Sequence, residues 1–258
     1  MPLNFEGKRG VVLGVANERS IAWAIARQLH EGGAKLALNY QGERIADQVK
    51  ALAEQVDALC LPCDLTDDAQ IDQFFAAVEE KFEGKLDFLV HSVAFARRED
   101  LTGRFVSTSR EGFQIAMDVS VYTLVAATRR VLPLMQAAGG GSVVTLSYFG
   151  SEKVIPNYNV MGVAKAGLEA SVRYLAYDLG PEKIRVNAVS AGPIKTLAAR
   201  AIGQFGDMIS KAVERSPMQR NVETDEVAAA AAFLLSDGGS GVTGEVFHVD
   251  CGYNIMGF

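Results

Sequence analysis

The sequence lacks the features that mark several specialised classes of protein. Its 258 residues include only three cysteines and three histidines, too few for a disulfide framework and without the spacing of metal ligands. The longest apolar run, Val227–Leu235, is about half as long as a membrane span and is typical of a buried helix. The opening residues, MPLNFEGKRG, have no signal-peptide pattern. We therefore expect a cytoplasmic protein with no membrane span and no metal site.

The charge distribution excludes a further class. The formal net charge is −6, and no block of like charges occurs along the chain. A nucleic-acid partner is therefore not expected, because proteins that bind nucleic acids concentrate basic residues on one face. Hydrophobic residues make up 49% of the chain, which is enough for a sizeable core.

Cys60 and Cys63 have the CxxC spacing of redox and zinc motifs. They lie in an apolar, strand-like run, however, where residues three apart point to opposite faces of a sheet. Redox pairs usually lie at a helix N-terminus, which lowers the pKa of the thiol. We interpret both cysteines as structural residues.

Apolar runs of strand length alternate with amphipathic stretches of helix length along the whole sequence. We predict strands at Gly10–Leu13, Ala34–Tyr40, Ala58–Cys63, Leu86–Val90, Val143–Leu146, Ile184–Ser190 and Glu245–Val249, and helices at Ser20–His30, Gly42–Gln55, Asp68–Phe82, Glu111–Ala138 and Tyr158–Leu179. A last helix opens at Thr224. This alternation predicts an α/β fold: a single Rossmann-like, doubly wound parallel sheet of about seven strands with helices on both faces. Because no linker or repeat divides the chain, residues 1–258 are expected to form one domain.

The stretch from 145 to 165, TLSYFGSEKVIPNYNVMGVAK, contains the most specific pattern in the chain. A proline-asparagine pair interrupts it after a strand, and Asn157 is a candidate N-cap for a helix that begins near Tyr158. Tyr158 and Lys165 lie about 20° short of two full helical turns and roughly 10 Å apart along the axis. They therefore share one helix face, and Tyr148, just past the strand end, can reach the same space. Alone, such a pair usually marks a half-solvated helix, and the preceding strand end favours a functional interpretation.

These residues resemble the short-chain dehydrogenase/reductase superfamily and, within it, the NADH-type bacterial enoyl-acyl-carrier-protein reductases. The superfamily's usual Tyr-x-x-x-Lys pair would place the lysine at Gly162, so that pattern is absent. The wider spacing of Tyr158 and Lys165, preceded by Tyr148 in LSY, is similar to the enoyl reductase variant. The longer match IPNYNVMGVAKAGLEASVRYLA is specific, and the resemblance covers nearly the whole chain. It implies catalytic roles for Tyr148, Tyr158 and Lys165.

The turn after the first strand, GVANERSIA, is the first candidate for a cofactor contact. A dinucleotide fingerprint would read Gly-x-Gly-x-x-Gly, and two of those glycines are missing here. On spacing alone, a plain βα turn and a phosphate site at the helix N-terminus are equally compatible with this sequence. The resemblance implies the phosphate site, because G-x5-S-I-A is the enoyl reductases' version of this loop. Gly14, Ser20 and Ile21 then contact the cofactor.

The resemblance also implies which residues line the rest of the cofactor site. Beyond the turn, the cofactor-binding positions are Gln41, Asp64, Leu65, Val93, Lys165, Ile194, Lys195, Thr196, Leu197 and Ala198. Asp64 would accept a hydrogen bond from the adenine, although it could equally join Thr66, Asp67 and Asp68 in an N-cap network for the next helix. Gln41, with no basic residue immediately beside it, favours NADH, and NADPH is less expected because its 2′-phosphate would be uncompensated. Arg44, three residues later, is the nearby basic residue that would favour NADPH instead, because an arginine can accommodate the 2′-phosphate.

For the substrate, the resemblance places Ala96 and Tyr158 at the thioester end of the acyl chain. We expect a loop at Leu101–Glu111 over the site, and a lid near residues 195–215 whose glycines weaken a helical pattern over Ala199–Val213. Acyl carrier proteins are acidic, so a basic entrance is expected. The basic residues around the lid are Lys195, Arg200, Lys211 and Arg215.

A homotetramer is implied as well. Small residues on two helices, Ala126, Ala127, Ala164, Ala166, Gly167 and Ala170, and the apolar tail CGYNIMGF suggest subunit contacts with two-fold symmetry.

The implied activity is reduction of trans-2-enoyl thioesters of acyl carrier protein with NADH, in the elongation cycle of fatty acid biosynthesis. Two alternatives stay open. A carbonyl (3-oxoacyl) reductase would share the fold and cofactor, but the absent Tyr-x-x-x-Lys pattern argues against it. A non-catalytic dinucleotide sensor is disfavoured because Tyr148, Tyr158 and Lys165 are all retained.

Overall fold

The computed structural model describes residues 3–196 and 205–257, in which seven strands form one sheet. The strands are β1 (Arg9–Leu13), β2 (Lys35–Tyr40), β3 (Leu59–Pro62), β4 (Phe88–His91), β5 (Gly141–Ser147), β6 (Ile184–Ala191) and β7 (Val246–Val249). All neighbouring strands are parallel, in the order β3-β2-β1-β4-β5-β6-β7. The order reverses between β1 and β4, and ligands of doubly wound sheets bind at such a reversal. The predicted fold class is confirmed.

Helices pack on both faces of this sheet. Those in the described residues are α1 (Ile21–Glu31), α2 (Glu43–Gln55), α3 (Asp68–Lys81), α4 (Arg110–Met117), α5 (Thr123–Ala138), α6 (Asn159–Leu179), α7 (Phe205–Arg215) and α8 (Thr224–Leu235). Buried side chains of α3, α5 and α6 form a core on one face, and those of α1, α2 and α8 form a core on the other. None of these helices combines the length and apolarity that crossing a membrane requires.

The alternation of side chains along the strands divides the two cores. Val11 of β1 belongs to one core and Val12 to the other, as a period of two residues requires. Each fully buried valine or leucine of this kind stabilises the fold by about 1.5–3 kcal/mol. Cys63 packs in the first core and Cys60 against the second, so the two thiols lie on opposite faces. Burial raises the pKa of Cys63 to about 12, which leaves the thiol uncharged.

Two predicted elements differ from the structure. The long helix expected at Glu111–Ala138 is divided, because a π-helical stretch, Asp118–Tyr122, separates α4 from α5. Asn157 is not an N-cap: its φ is +62°, the left-handed region that asparagine tolerates, and Tyr158 occupies the N-cap position of α6. The proline-asparagine break therefore includes a left-handed residue directly before the helix.

The small residues considered for subunit contacts fall into two groups. Ala126, Ala127 and Ala164 are fully buried in the core of this chain and are not available to a partner. Ala166 is exposed and Ala170 half-buried on α6, whereas the half-buried Gly167 packs against Met117 and Val121 of the same chain.

Candidate active site

A cavity of about 650 Å³ opens at the carboxyl ends of the strands. It brings together most of the sequence-predicted site residues: Gly14, Ser20, Ile21, Gln41, Asp64, Leu65, Val93, Ala96, Tyr148, Tyr158, Lys165, Ile194 and Thr196. Lys195 is exposed and is not among the lining residues. Leu197 and Ala198 lie outside the described residues, as does the first part of the predicted lid helix, residues 199–204, which includes Arg200. The remainder of that predicted helix belongs to α7.

The turn between β1 and α1 is shaped by Gly14. Its φ is +93°, and a Cβ at this position would overlap the backbone carbonyl oxygen of Ser92, which follows β4. Only glycine fits such a close approach. Ser20 is the N-cap of α1, but its hydroxyl donates back to Asn17 O at 2.6 Å and does not cap the helix. The first turn of α1, with Ser20 and Ile21 on the cavity wall, is therefore suited to an anionic group such as a pyrophosphate.

Asn39 holds three strand ends together at this side of the cavity. Its side-chain oxygen accepts from Gly14 N at 3.0 Å, and its amide nitrogen donates to Cys63 O at 3.0 Å. This buried asparagine was missed from the sequence. Its signal is a polar residue in the otherwise apolar strand KLALNY, where a side chain without hydrogen bonds would be costly.

Asp64 lies beside Gln41 at the ends of β3 and β2. Its carboxylate accepts from Thr66 N at 2.9 Å and from Thr66 Oγ1 at 2.8 Å. Burial alone would raise the pKa of Asp64, but hydrogen bonds from Thr66 and from Gln41 lower it. The N-cap of α3 is Asp67, which accepts from Ala69 N and Gln70 N. Asp64 therefore has a local partner and still lines the cavity.

Tyr148 and Tyr158 lie against each other at the opposite side of the cavity. Their ring centroids are 5.0 Å apart with an interplanar angle of 73°, an edge-to-face contact. Two glycines permit this arrangement. A Cβ at Gly150 would lie 2.5 Å from the ring of Tyr158, and one at Gly162 would lie 2.7 Å from Gly150 O. The 3₁₀ turn Phe149–Ser151 therefore packs directly on α6 and fixes both phenols.

Lys165 is buried at the same wall, with 6% of its surface exposed. Its Nζ donates to Leu146 O, near the end of β5, at 2.6 Å. Burial lowers the pKa of Lys165 to about 8, and the negative charge of Glu169 acts in the opposite direction. The amine is therefore poised to change its protonation state not far above neutral pH.

The two phenols remain protonated. Burial raises the pKa of Tyr158, and the nearby Tyr148 phenol and the negative charge of Glu169 act in the same direction. The pKa of Tyr148 is raised chiefly by burial as well, and its hydroxyl donates to Met208 Sδ on α7 at 3.3 Å. Tyr158 is a protonated group suited to donating a hydrogen bond.

His91, at the end of β4, is a structural neighbour of this site. It is fully buried, and its ring nitrogens bond Thr145 Oγ1 at 3.0 Å and Thr123 Oγ1 at 2.8 Å. Burial lowers its pKa to about 3, and the charge of Lys165 adds to this effect. The imidazole is therefore neutral and rigidly held.

Comparisons with known proteins agree with this geometry. A family model described as enoyl-(acyl carrier protein) reductase matches residues 14–254. The chain is 54% identical to an NADH enoyl-acyl-carrier-protein reductase of Rhizobium meliloti (strain 1021), over 97% of this chain and 92% of that protein. It is 50% identical to the NADH enoyl-acyl-carrier-protein reductase FabI of Bacillus subtilis (strain 168), over 99% of each.

Two solved structures are similar throughout. The Bacillus cereus enoyl-acyl carrier protein reductase, crystallised with NADP⁺ and an indole naphthyridinone, has a TM-score of 0.96 and 49% identity, with 100% of both chains covered. The enoyl-acyl-carrier-protein reductase of Anaplasma phagocytophilum, in complex with NAD, has a TM-score of 0.95 and 47% identity, covering 100% of this chain and 98% of that one.

Proposed function

The chain belongs to the enoyl-(acyl carrier protein) reductase family, and we propose that Tyr158, Lys165 and Tyr148 perform its reaction in the cavity described above. It is an NADH-dependent enoyl reductase, which reduces trans-2-enoyl thioesters of acyl carrier protein to saturated acyl thioesters in the elongation cycle of fatty acid biosynthesis. When bound, NADH supplies the hydride that is added to the β-carbon of the enoyl group.

The described residues fit this cofactor. Because Gly14 has no side chain, the β1–α1 turn lies directly against the backbone of Ser92. Ser20 and Ile21, at the helix N-terminus on the cavity wall, would hold the pyrophosphate. Asp64, Leu65 and Val93 would border the adenine and its ribose. Ile194 would meet the carboxamide of the nicotinamide, and Thr196 the pyrophosphate; both line the cavity. Together these groups follow strands on both sides of the point between β1 and β4 where the strand order reverses.

Tyr158 is proposed to donate a hydrogen bond to the thioester carbonyl oxygen. That oxygen gains negative charge as the enolate forms, so the hydrogen bond strengthens toward the transition state. The protonated state of the phenol and the fixed ring support this role. Ala96, buried in the cavity wall, would pack near the thioester.

Lys165 is proposed to hold the ribose hydroxyls at the nicotinamide end, because an ammonium group offers three donors and one is engaged by Leu146 O. Tyr148 shapes the acyl pocket, and its contact with Met208 joins it to α7. We propose that residues near 195–215 form a lid over the acyl pocket, and α7 is the part of this lid that the structure describes. Proteolysis near the lid should slow only when cofactor and acyl substrate are both present.

The observation that carries this assignment is that Tyr158 and Lys165 share one cavity with the β1–α1 turn. The test is an absorbance assay of NADH oxidation with crotonyl and acetoacetyl thioesters side by side. Turnover of the enoyl thioester alone is expected. Preferential reduction of the 3-oxo thioester would indicate a carbonyl reductase, and NADH binding without turnover of either would indicate a sensor.

The same assay measures cofactor preference. We expect a higher kcat/KM with NADH than with NADPH, because Gln41 is neutral and donates to Asp64. Arg44 also lines the cavity, so Arg44→Ala should lower activity with NADPH and leave activity with NADH nearly unchanged. An equal loss with both cofactors would contradict this explanation.

We also propose a homotetramer. Large apolar and aromatic side chains are exposed on the outer side of the helices beside the site: Phe113, Tyr122, Val163, Tyr174 and Tyr177. Such a surface is typical of a subunit interface. The half-buried tail residues Tyr253 and Asn254 would extend it. Light scattering at micromolar protein should give the mass of four chains, and a monomer would refute the proposal.

The substrate arrives on acyl carrier protein, and we propose that its acidic surface docks beside the lid. Lys195, Lys211 and Arg215 are exposed there. We place the enzyme in the cytoplasm, which the use of NADH and the three free cysteines support. Fractionation of cells should recover it with the soluble enzymes.

A further inference from the structure

A buried carboxylate lies one helical turn beyond Lys165 and does not line the cavity in the described structure. Glu169 is 6% exposed and follows Lys165 by four residues on α6, so both side chains project from the same side of the helix. A buried carboxylate is unfavourable unless hydrogen bonds or a nearby positive charge compensate it. The reaction assigned to Tyr158 and Lys165 gives Glu169 no direct role.

Two serine hydroxyls donate to this carboxylate. Glu169 Oε1 accepts from Ser147 Oγ in a short hydrogen bond, and from Ser151 Oγ at 2.6 Å. Ser147 is the last residue of β5, and Ser151 ends the 3₁₀ turn Phe149–Ser151. Glu169 therefore ties both sides of Tyr148 to α6. The two hydroxyl donors satisfy an oxygen that would otherwise be buried without a hydrogen bond.

The surroundings of Lys165 leave Glu169 as the main negative charge that acts on it. From β4, His91 is neutral, and from β5, Leu146 offers a carbonyl oxygen. Tyr158, at the start of α6, is a protonated phenol. Beyond the 3₁₀ turn, Glu152 Oε1 forms a hydrogen bond with His248 Nε2 at 2.9 Å. Burial lowers the pKa of Lys165, and Glu169 is the group that raises it.

We propose that Glu169 is a positioning residue for the reaction: fixed by Ser147 and Ser151 one helical turn from Lys165, its carboxylate supplies the counter-charge for Lys165 and anchors the backbone around Tyr148. This inference rests on the proposed function, because it gives Lys165 a binding role that requires its charge. Its effect reaches NADH only through Lys165. Removing the charge of Glu169 should therefore shift the midpoint of the pH dependence of NADH affinity. Loss of a purely structural contact would not shift that midpoint.

The test compares Glu169→Gln, which keeps the shape but removes the charge, with Glu169→Asp, which keeps the charge. NADH affinity is measured by fluorescence titration across pH, a readout that needs no turnover. In the wild type, affinity should fall as pH rises through about 8, where Lys165 loses its proton. In Glu169→Gln the midpoint should move to lower pH, because the negative charge that opposes the effect of burial on Lys165 is removed. Glu169→Asp should retain the wild-type midpoint.

Glu152→Gln is the matched control, because it removes a carboxylate that is 42% exposed and paired elsewhere. Its midpoint should equal that of the wild type. A wild-type midpoint in folded Glu169→Gln overturns the inference, while turnover of crotonyl thioester by the wild type leaves the proposed function intact. A wild type that binds NADH but reduces no enoyl thioester would instead remove the proposed function.

If circular dichroism shows that Glu169→Gln does not fold, a measurement on the wild-type protein still tests the inference. An ionised Glu169 predicts no infrared band from a protonated carboxylic acid at neutral pH, because exposed glutamates are ionised there. A band of that type that moves on ¹³C-labelling of glutamate would overturn the inference.

Discussion

The two ends of the sheet both carry basic side chains but engage them differently. At the amino ends, Lys8 Nζ pairs with Asp87 Oδ1 at 3.1 Å, and Arg185 donates to Val242 O and Ser236 O at 3.2 and 3.1 Å. The cavity there is about 200 Å³. At the carboxyl ends, the larger cavity holds a buried lysine beside two protonated phenols. Charges at the first end stabilise the fold, and those at the second are available to a ligand.

Removing the phenol of Tyr158 should have the largest effect. Tyr158→Phe keeps the ring contact with Tyr148 but loses the donor to the enolate oxygen, which typically costs about 2.7–4 kcal/mol, or about a hundredfold to a thousandfold in kcat. NADH affinity should hardly change, because the phenol is not proposed to contact the cofactor's phosphates or ribose. Tyr177→Phe removes a phenol outside the cavity, on the proposed subunit surface, and as the control it should keep wild-type kcat. Full activity in Tyr158→Phe would exclude the proposed role.

Gly14→Ala should give the next largest effect. The residue would have φ near +93° and a Cβ overlapping Ser92 O, so strain of about 1–3 kcal/mol is expected together with a displaced cofactor turn. NADH affinity should therefore fall by at least about tenfold. Gly7→Ala at the amino end shares a positive φ, +75°, but has nothing within 4 Å of the added Cβ. It should cost stability without changing NADH affinity; equal losses of affinity in both variants would argue against a cofactor turn.

NADH binding should depend on pH through Lys165 at the carboxyl ends of the strands, and not through the basic residues at the amino ends. Lys165 carries its proton below pH about 8 and loses it above, because burial disfavours the charged form. Each pH unit above this value should reduce the protonated fraction, and hence NADH affinity, by up to about tenfold. Lys165→Met should bind NADH weakly at every pH, with the dependence near pH 8 abolished. A binding curve with the same midpoint in Lys165→Met would assign the titration to another group.

The smallest effect is expected at the amino end. The Lys8–Asp87 pair is partly exposed, at 45% and 22% of the two side chains, so Lys8→Met should change the free energy of unfolding by about 0–1 kcal/mol. Neither kcat nor NADH affinity should move. Denaturant titration and the NADH assay on the same sample check both statements, and a fall in kcat would show that the two ends are coupled.

The alternation of apolar runs predicted the sheet because buried parallel strands and amphipathic helices have different periods. Val11 and Val12 are an example: as neighbours in one strand they pack into opposite cores, as a period of two residues predicts. The site residues came from the spacing of Tyr158 and Lys165 and from the family resemblance. The π-helical stretch at Asp118–Tyr122 and the left-handed Asn157 could not be predicted, since they are selected by packing around the site and not by local preference.

The hydrogen-bond partners of two buried polar residues also could not be predicted from the sequence. Asn39 and Glu169 each interrupt an apolar run, KLALNY and AGLEASV, but the sequence does not say which distant groups would satisfy them. Their partners are Gly14 and Cys63 in one case, and Ser147 and Ser151 in the other. These contacts join segments far apart in the chain, and only the assembled sheet brings them together.

The most direct test of the central claim is a crystal structure with NAD⁺ and an unreactive enoyl thioester analogue. The thioester carbonyl oxygen should lie within hydrogen-bond distance of Tyr158 Oη, about 2.5–3.0 Å, and the nicotinamide ribose hydroxyls within reach of Lys165 Nζ. The pyrophosphate should lie at the N-terminus of α1 beside Ser20 and Ile21. A thioester bound with its carbonyl directed away from Tyr158, or a nicotinamide held outside this cavity, would contradict the account.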